Sequence, residues 1–326
     1  MQYREIGNSG IKASVVALGT WAIGGWAWGG TDKEDSIKAI HTALDNGVNL
    51  VDTAPMYGMG TSEEFVGEVI KDRRDDIVLA TKCGLRWDTG KGEFFFKAEG
   101  KNIYRYLGPE GIKKEVEESL RRLKTDRIDL YQTHWQEETT PREDTMAALM
   151  DLRDEGKIRA VGVSNIKVSQ LKEYLQVGPV ASCQEKFSML DRGIEEDLLP
   201  FCIENNIGIL AYSPLALGLL SGKVTPDREF DEGDQRRNQS RFSQENRKRV
   251  LEMLDKFQPV CEEHSLTTAQ VVIAWSVARK GITHVLVGAR NEKQAAENAA
   301  AGAVKLSDSE IEMMDKAIGE LKLEGE

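Results

Sequence analysis

Four side chains suited to proton transfer stand at the ends of, or just beyond, short apolar runs of the sequence: Asp52, Tyr57, Lys82 and His134. Asp52, Lys82 and His134 each directly follow such a run, and Tyr57 comes five residues after Asp52. A carboxylate, a phenol, an ammonium and an imidazole could together move a proton to or from an oxygen on a carbonyl carbon. Each residue alone is more typical of a turn cap, loop packing, a rim charge or a core histidine, so the argument depends on the four occurring jointly.

The elements that would position these residues are apolar, strand-like runs alternating with helix-length amphipathic segments. Most of the runs are nearly continuous in apolar residues, which is typical of strands buried on both faces of a parallel sheet. Eight such β-α units predict a single (β/α)8 TIM barrel spanning residues 1–326, whose strands all end at one mouth. The eight predicted strands are residues 15–18, 48–51, 77–81, 128–133, 158–163, 180–184, 207–212 and 284–287.

A doubly wound open sheet is the alternative architecture, and the length of 326 residues alone would also allow two domains. The open sheet would usually bring a G-x-G-x-x-G turn after an early strand, and the sequence contains none. Glycine, proline and charge are spread along the chain with no linker-like stretch. These patterns favour the barrel.

Two predicted connections are longer than ordinary β-α turns, residues 83–109 after strand three and residues 213–243 after strand seven. Long loops on a compact barrel are usually lids or binding loops. Tryptophans concentrate after strands one, three and four. These side chains either pack the loops onto the barrel or form an aromatic-walled substrate pocket. The tryptophans concerned are Trp21, Trp26, Trp28, Trp87 and Trp135.

Composition excludes several functional classes. The 43 Lys and Arg against 54 Asp and Glu give a formal net charge of −11, which argues against a nucleic-acid partner. No apolar run approaches the length of a membrane span, and the first residues lack a signal-peptide apolar region. Four cysteines without C-x-x-C pairing and only four histidines make a zinc site improbable, so we expect no metal and a cytoplasmic location.

Several motifs in register along the β-α units resemble the aldo-keto reductase family over nearly the whole chain. The long loop after strand seven is most similar to the bacterial general-reductase and potassium-channel β-subunit branch. The motifs that carry the resemblance are residues 18–21, 52–58, 119–123, 162–165, 212–215, 218–223 and 288–290.

The resemblance implies a role for each of the four residues, called the tetrad below. Tyr57 would donate the proton to a substrate carbonyl oxygen. Lys82 would stabilise the phenolate and so make the proton easier to donate. Asp52 would hold and balance Lys82, and His134 would orient the carbonyl and assist proton transfer.

The resemblance also implies NADPH/NADP+ as cofactor, bound in extended form without a Rossmann fold. Ser164, Asn165 and Gln184 would hydrogen-bond the nicotinamide carboxamide, and Tyr212 would stack on its ring. Arg290 would meet the 2′-phosphate at the start of a helix, where the helix dipole favours anions. The other expected contacts lie beside the ring, along the pyrophosphate and around the adenosine: Gly19, Thr20, Trp21, Asp52, Ser213, Pro214, Leu215, Gly218, Lys223, Gly288, Ala289, Gln294, Glu297 and Asn298.

The function expected from the resemblance is NADPH-dependent reduction of the carbonyl of a small aldehyde or ketone, or alcohol oxidation in reverse. One alternative is an NADPH-binding regulatory subunit of slow turnover, since the tetrad does not separate the two. Another is a metal-dependent hydrolase, which would need a cluster of ligands at strand ends where only His134 is available among histidines. The sequence specifies neither the substrate nor the oligomeric state.

Overall fold

The computed structural model describes residues 1–25, 28 and 30–325. The described strands, in chain order, are β1 (Tyr3–Glu5), β2 (Lys12–Ser14), β3 (Val16–Gly19), β4 (Leu50–Asp52), β5 (Val78–Cys83), β6 (Leu85–Arg86), β7 (Glu93–Ala98), β8 (Lys101–Arg105), β9 (Ile128–Thr133), β10 (Ile158–Ser164), β11 (Ser182–Lys186), β12 (Gly208–Tyr212) and β13 (Ile282–Gly288).

The described α-helices surround these strands. They are α1 (Lys33–Asp45), α2 (Thr61–Ile70), α3 (Pro109–Leu123), α4 (Arg142–Asp154), α5 (Val168–Leu175), α6 (Leu198–Glu204), α7 (Gln244–Asp255), α8 (Gln258–His264), α9 (Thr268–Ala278), α10 (Glu292–Ala300) and α11 (Asp308–Glu320). Within the described residues, no helix combines the length and the apolar character needed to cross a membrane.

Eight parallel strands close into a barrel in the order β3-β4-β5-β9-β10-β11-β12-β13, and β13 pairs with β3. The predicted (β/α)8 barrel is therefore confirmed. Every residue of β5 and β9 is buried, as expected for strands covered on both faces. Small and branched apolar side chains fill the interior, which is a packed core: Ala17, Leu50, Ala80, Leu130, Ala160, Ala181, Leu210 and Leu286.

Strand ends differ slightly from the prediction. Asp52 is the last residue of β4 and Lys82 lies inside β5, so both belong to strands and do not follow them. The apolar criterion ended each strand at its first charged residue, although the backbone pairing continues through it. His134 does lie beyond β9, where its amide donates to Cys83 O at 2.9 Å.

An antiparallel hairpin of β1 and β2, absent from the prediction, closes the amino-terminal end of the barrel. Ile6 and Ile11 from its turn are buried in the interior cluster. Gly7, at φ +51°, lies against the strand backbone so closely that a Cβ there would stand 2.2 Å from Ala181 O. The amino-terminal end of the barrel, opposite the mouth, is thus plugged by main chain and apolar side chains.

The predicted loop after strand three is largely β-structure, a three-stranded antiparallel sheet in the order β6-β8-β7. The turn between β7 and β8 places Glu99 at φ 47° and Gly100 at φ 74°. Two successive positive φ values are typical of the tight hairpin turns that match strand twist. This hairpin stands at the carboxyl-end mouth of the barrel.

The segment after β12 is a long connection, as predicted. Short 3₁₀ turns at Ala216–Ser221, Gln235–Asn238 and Ser240–Phe242 interrupt it before α7 begins. The Arg236 guanidinium ties it together by pairing with Asp234 and donating to Leu217 O at 3.3 Å.

A Ser or Thr followed three residues later by Glu or Gln predicts a capping box at the start of a helix, and the sequence has this pattern at Thr140, Thr267 and Ser307. The boxes at Thr267 and Ser307 are confirmed by reciprocal side-chain and backbone bonds. The box at Thr140 is wrong. Pro141 occupies the N-cap of α4 in an extended conformation, so the helix begins one residue later than Thr140 would require.

Candidate active site

Lys82 lies at the centre of the tetrad. Its Nζ donates to Asp52 Oδ1 at 2.6 Å, to Thr53 O at 2.9 Å and to the Tyr57 hydroxyl at 3.1 Å. The Lys82 side chain is fully buried, and Asp52 is 2% exposed. An ammonium in such a place requires a carboxylate and hydrogen-bond acceptors around it. The three acceptors satisfy all three of its donors.

The second oxygen of Asp52 is held by two glutamines. Gln184 Nε2 donates to Oδ2 at 2.7 Å and Gln132 Nε2 donates at 3.1 Å. Gln132 was not among the predicted residues, because β9 also contains the polar residues Asp129 and Thr133 and nothing in the sequence distinguishes the glutamine from them. Gln184 was expected to bind a nicotinamide carboxamide, and here its side-chain amide bonds the tetrad carboxylate. Both amides hold that carboxylate in one orientation.

Burial raises the pKa of Tyr57 above its usual value of 10, and the nearby Lys82 ammonium offsets only part of this rise. Burial also lowers the pKa of Lys82, but attraction to Asp52 and Tyr57 raises it above its usual 10.5 in balance. Lys82 does lower the pKa of Tyr57, as expected, but burial raises that pKa by more, so the phenol is a weaker acid than free tyrosine. At neutral pH Tyr57 is a protonated phenol beside a protonated lysine.

His134 packs edge to face against Tyr57, with ring centroids 5.8 Å apart at an interplanar angle of 82°. Burial lowers the pKa of His134 well below its usual 6.5, and the positive charge of Lys82 lowers it further. The imidazole is therefore neutral at physiological pH. A neutral imidazole keeps one N–H donor and one acceptor for a polar group in the mouth.

A second group of polar side chains adjoins the tetrad after β10 and β12. Asn165 Nδ2 donates to His134 O at 2.9 Å and to Ser164 Oγ at 3.1 Å, and the Tyr212 hydroxyl donates to Asn165 Oδ1 at 2.8 Å. Ser164 Oγ donates to Gln184 O at 2.7 Å. Asn165 has a left-handed backbone at φ 53°. The predicted nicotinamide residues are thus joined to one another and to the tetrad.

The residues expected beside the ring border the same mouth. Gly19 pairs with Asp52 in the barrel, and the Thr20 amide donates to Asp52 O at 3.0 Å. Trp21 packs edge to face on Trp28, with centroids 5.5 Å apart. Trp26 lies outside the described residues. Hence the loop after β3 contacts the tetrad through main-chain bonds to Asp52.

The loop after β12 turns its backbone into the left-handed region. Ser213 has φ 58°, and the successive residues Ala216, Leu217 and Gly218 have φ 46°, 56° and 92°. Runs of such conformations form main-chain concavities that favour anions. The Gly218 amide donates to Leu215 O at 2.9 Å, and buried Pro214 lies between Ser213 and Leu215.

The residues expected around the adenosine end form their own contacts. Lys223 Nζ pairs with Glu297 at 3.0 Å, and Asn298 Nδ2 donates to Gly288 O at 3.0 Å. The Arg290 guanidinium donates to Trp28 O at 3.2 Å and to Gly30 O at 3.0 Å.

The helix expected at Arg290 begins later, at Glu292, with Asn291 as N-cap. The Arg290 amide, which follows buried Ala289, donates to Gln294 Oε1 at 2.9 Å. Arg290 therefore precedes the helix by two residues, and its charged group faces the loop after β3.

The aromatic side chains over the mouth form a cluster with the β7–β8 hairpin. Phe95 packs on Trp135 with centroids 5.3 Å apart and on Phe96 at 5.0 Å. Trp87 packs against the same cluster. Within the part of the chain that the structure describes, no three His, Cys, Asp or Glu side chains are arranged to hold a metal ion.

Comparison with known proteins identifies the family of this chain. The profile of the Aldo/keto reductase family matches residues 15–319. The "NADH-specific methylglyoxal reductase" of Escherichia coli K12 is 42% identical over 320 residues, covering 96% of this chain and 97% of that protein. "Aldo-keto reductase YhdN" of Bacillus subtilis 168 is 39% identical over 297 residues, covering 90% of this chain and 86% of that protein.

Solved structures agree with the sequence relatives. The glycerol dehydrogenase AKR11B4 from Gluconobacter oxydans superposes with a TM-score of 0.87 at 37% identity, covering 97% of this chain and 94% of that one. An aldo-keto reductase from Klebsiella pneumoniae in complex with NADP and acetate gives a TM-score of 0.74 at 26% identity, covering 97% and 95%. The chain is a member of the aldo-keto reductase family.

Proposed function

We propose that this chain reduces the carbonyl group of a small aldehyde or ketone with NADPH, and that Tyr57 donates the proton. The observation that carries the proposal is the buried ammonium of Lys82, which bonds both Asp52 Oδ1 at 2.6 Å and the Tyr57 hydroxyl at 3.1 Å. A phenol so placed can give up its proton to a developing alkoxide while the ammonium stabilises the phenolate left behind.

The proton path follows from these contacts. When bound, the nicotinamide cofactor supplies the hydride to the carbonyl carbon, since no side chain donates hydride. Tyr57 transfers its hydroxyl proton to the carbonyl oxygen, and Lys82 holds the phenolate by charge and hydrogen bond. Neutral His134 donates an N–H to the same oxygen and fixes the carbonyl beside Tyr57. Asp52 holds the Lys82 ammonium in place and does not itself exchange a proton.

The mouth fits a nicotinamide dinucleotide on two grounds. Ser164, Asn165 and Tyr212 place amide and hydroxyl groups next to the tetrad, where a carboxamide needs them. Farther out, the successive left-handed residues that include Leu217 give an anion-favouring backbone, and Arg290 adds a guanidinium. We assign NADPH over NADH because a guanidinium can pair with the 2′-phosphate.

Two relatives suggest which substrates to try first, because their names specify methylglyoxal and glycerol. Both are small and uncharged, as expected for a mouth lined by Trp135 and Phe95. We propose short uncharged carbonyl compounds, starting with methylglyoxal as substrate and glycerol for the reverse reaction. The four cysteines are free and buried, in keeping with a proposed cytoplasmic location.

Replacement of the phenol tests the proton donor. Tyr57→Phe should lower kcat by roughly 10²–10⁴-fold, the usual contribution of general acid catalysis, while the NADPH dissociation constant stays near native. Tyr106→Phe is the control, since it removes a phenol hydroxyl that bonds Glu110 at 3.2 Å outside the tetrad. A near-native rate for Tyr57→Phe would overturn the assignment.

Replacement of the guanidinium tests the cofactor. Arg290→Ala should weaken NADPH by about ten- to a hundredfold and NADH only slightly, because a charge-assisted contact contributes on the order of 1.5–3 kcal/mol. Lys293→Ala, at an exposed position three residues on, is the control. A relative is named NADH-specific, and tighter binding of NADH than NADPH by the native chain would contradict our cofactor assignment.

A further inference from the structure

A buried carboxyl group behind the mouth has no part in the proposed proton path. Glu185 follows Gln184 on β11, and alternate strand residues point to opposite faces. Gln184 points into the barrel towards Asp52, so Glu185 points outwards, towards the turn that follows β10. The Glu185 side chain is nevertheless only 7% exposed.

The Glu185 carboxyl binds the backbone of that turn. Its Oε1 accepts the Ile166 amide at 2.9 Å. Burial raises the pKa of Glu185 to about 7, and the backbone amides of Ile166 and Asn165 counteract part of that rise. Lys186, the adjacent cation on the strand, pairs instead with Asp191 at 2.7 Å. The polar partners of Glu185 are therefore main-chain amides of the turn.

The turn needs such support because of its backbone. Asn165 has φ 53°, a left-handed conformation that costs free energy relative to extended or helical backbone, although asparagine adopts it more readily than most residues with a side chain. That conformation lets the Asn165 amide reach His134 O, Ser164 Oγ and the Tyr212 hydroxyl at once. A shift of this turn would move every group that the proposed carboxamide contact depends on.

We propose that Glu185 is a positioning residue for the nicotinamide carboxamide, acting through the backbone amides that fix Asn165. This inference rests on the function proposed above. The group that Asn165 would bind is the carboxamide. Loss of the Glu185 contact should therefore weaken binding of the carboxamide and leave the contacts to the rest of the dinucleotide unchanged.

The test compares two oxidised cofactors that differ at one group. NADP+ carries the carboxamide. Its 3-acetylpyridine analogue has a methyl ketone in place of the amide and so lacks the N–H groups from which Asn165 Oδ1 would accept a hydrogen bond. Dissociation constants for both are measured by quenching of tryptophan fluorescence, so that turnover plays no part. Native protein should bind NADP+ more tightly than the analogue.

Glu185→Met, which fills the space but accepts no hydrogen bond, should weaken NADP+ by roughly tenfold and the analogue by less than about threefold, the size expected of one lost hydrogen bond. Glu185→Gln keeps an acceptor oxygen and should retain at least part of the native preference. Asp129→Asn is the control, since Asp129 is a buried carboxylate that accepts the Leu79 amide at 2.9 Å near the opposite end of its strand. Asp129→Asn should leave the dissociation constants of NADP+ and of the analogue unchanged.

Equal weakening of both cofactors by Glu185→Met would overturn the proposal and make Glu185 a purely structural group. If Glu185→Met does not fold, Glu185→Asp shortens the reach by one methylene and should give the same selective loss, with equal loss again overturning the proposal. Failure of the proposed function is distinct from both results, because native protein would then bind neither dinucleotide.

Discussion

Removing the ammonium at the centre of the tetrad should separate its structural from its catalytic role. Lys82→Met deletes bonds to Asp52, Thr53 and Tyr57 and leaves the Asp52 carboxylate buried without its counter-ion. Breaking a buried pair by removing one partner typically costs about 3–5 kcal/mol. We expect a loss of that size in the free energy of unfolding, because both side chains are at most 2% exposed.

Adding Asp52→Asn to Lys82→Met should recover roughly 1–3 kcal/mol of that loss. The asparagine carbonyl can still accept the Gln132 and Gln184 amides, which bond Asp52 Oδ2 at 3.1 and 2.7 Å, and no buried charge remains. Turnover should not recover, because the ammonium that we propose stabilises the Tyr57 phenolate is still absent.

Urea denaturation followed by far-ultraviolet circular dichroism at pH 7 gives both free energies, and cofactor oxidation followed optically gives turnover. If the double variant is no more stable than Lys82→Met, the uncompensated carboxylate is not the source of the loss. If the double variant regains activity, Lys82 does not act on the phenol as we describe.

Two further expectations concern pH. Burial and Lys82 lower the pKa of His134 well below 6.5, and burial raises that of Tyr57 above 10, so kcat for reduction should show no inflection from His134 near pH 6.5 and none from Tyr57 below pH 10. Any inflection from Glu185, whose pKa is about 7, is absent in Glu185→Gln, so a titration near pH 6.5 that persists in that variant would contradict this expectation. Glu115, which accepts the Gly84 amide at 2.9 Å, has its pKa raised to about 8 by burial. The folded chain therefore keeps a proton that the unfolded chain releases near pH 4.5, and stability falls as pH rises from about 4.5 to 8. Glu115→Gln should remove up to about 1.4 kcal/mol of that fall per pH unit, measured by urea denaturation across this range, and an unchanged slope would refute the cause.

The sequence predicted the barrel and the convergence of Asp52, Tyr57, Lys82 and His134 at its mouth, because both depend on local pattern. An apolar run that ends in a charged residue marks a buried strand reaching the mouth, and this holds for Asp52 and Lys82. Six of the eight barrel strands extend one or two residues beyond the predicted end, since hydrogen-bonded pairing continues past the last apolar side chain, and the predicted ends at Thr133 and Tyr212 are confirmed.

The features that escaped prediction depend on contacts between distant segments. The role of Gln132 can be recognised only when the position of Asp52 across the barrel is known. The side chain of Gln184 could bind either the nicotinamide carboxamide or Asp52, and the sequence does not distinguish the two. The net pKa of Tyr57 depends on how deeply the loop folds over it. The β7–β8 hairpin could have been inferred from Glu99 and Gly100, but its Phe94–Phe96 run lacks the alternation that indicates a strand.

The plug at the amino-terminal end of the barrel, formed by Ile6, Gly7 and Ile11, has a kinetic consequence. With that end closed and the barrel interior filled by side chains, every molecule that reaches Lys82 and Tyr57 enters and leaves through the same mouth. A substrate seated over the nicotinamide position would then obstruct exchange of the larger dinucleotide beneath it. We expect an ordered sequence in which the cofactor binds first and departs last, which product-inhibition kinetics would show.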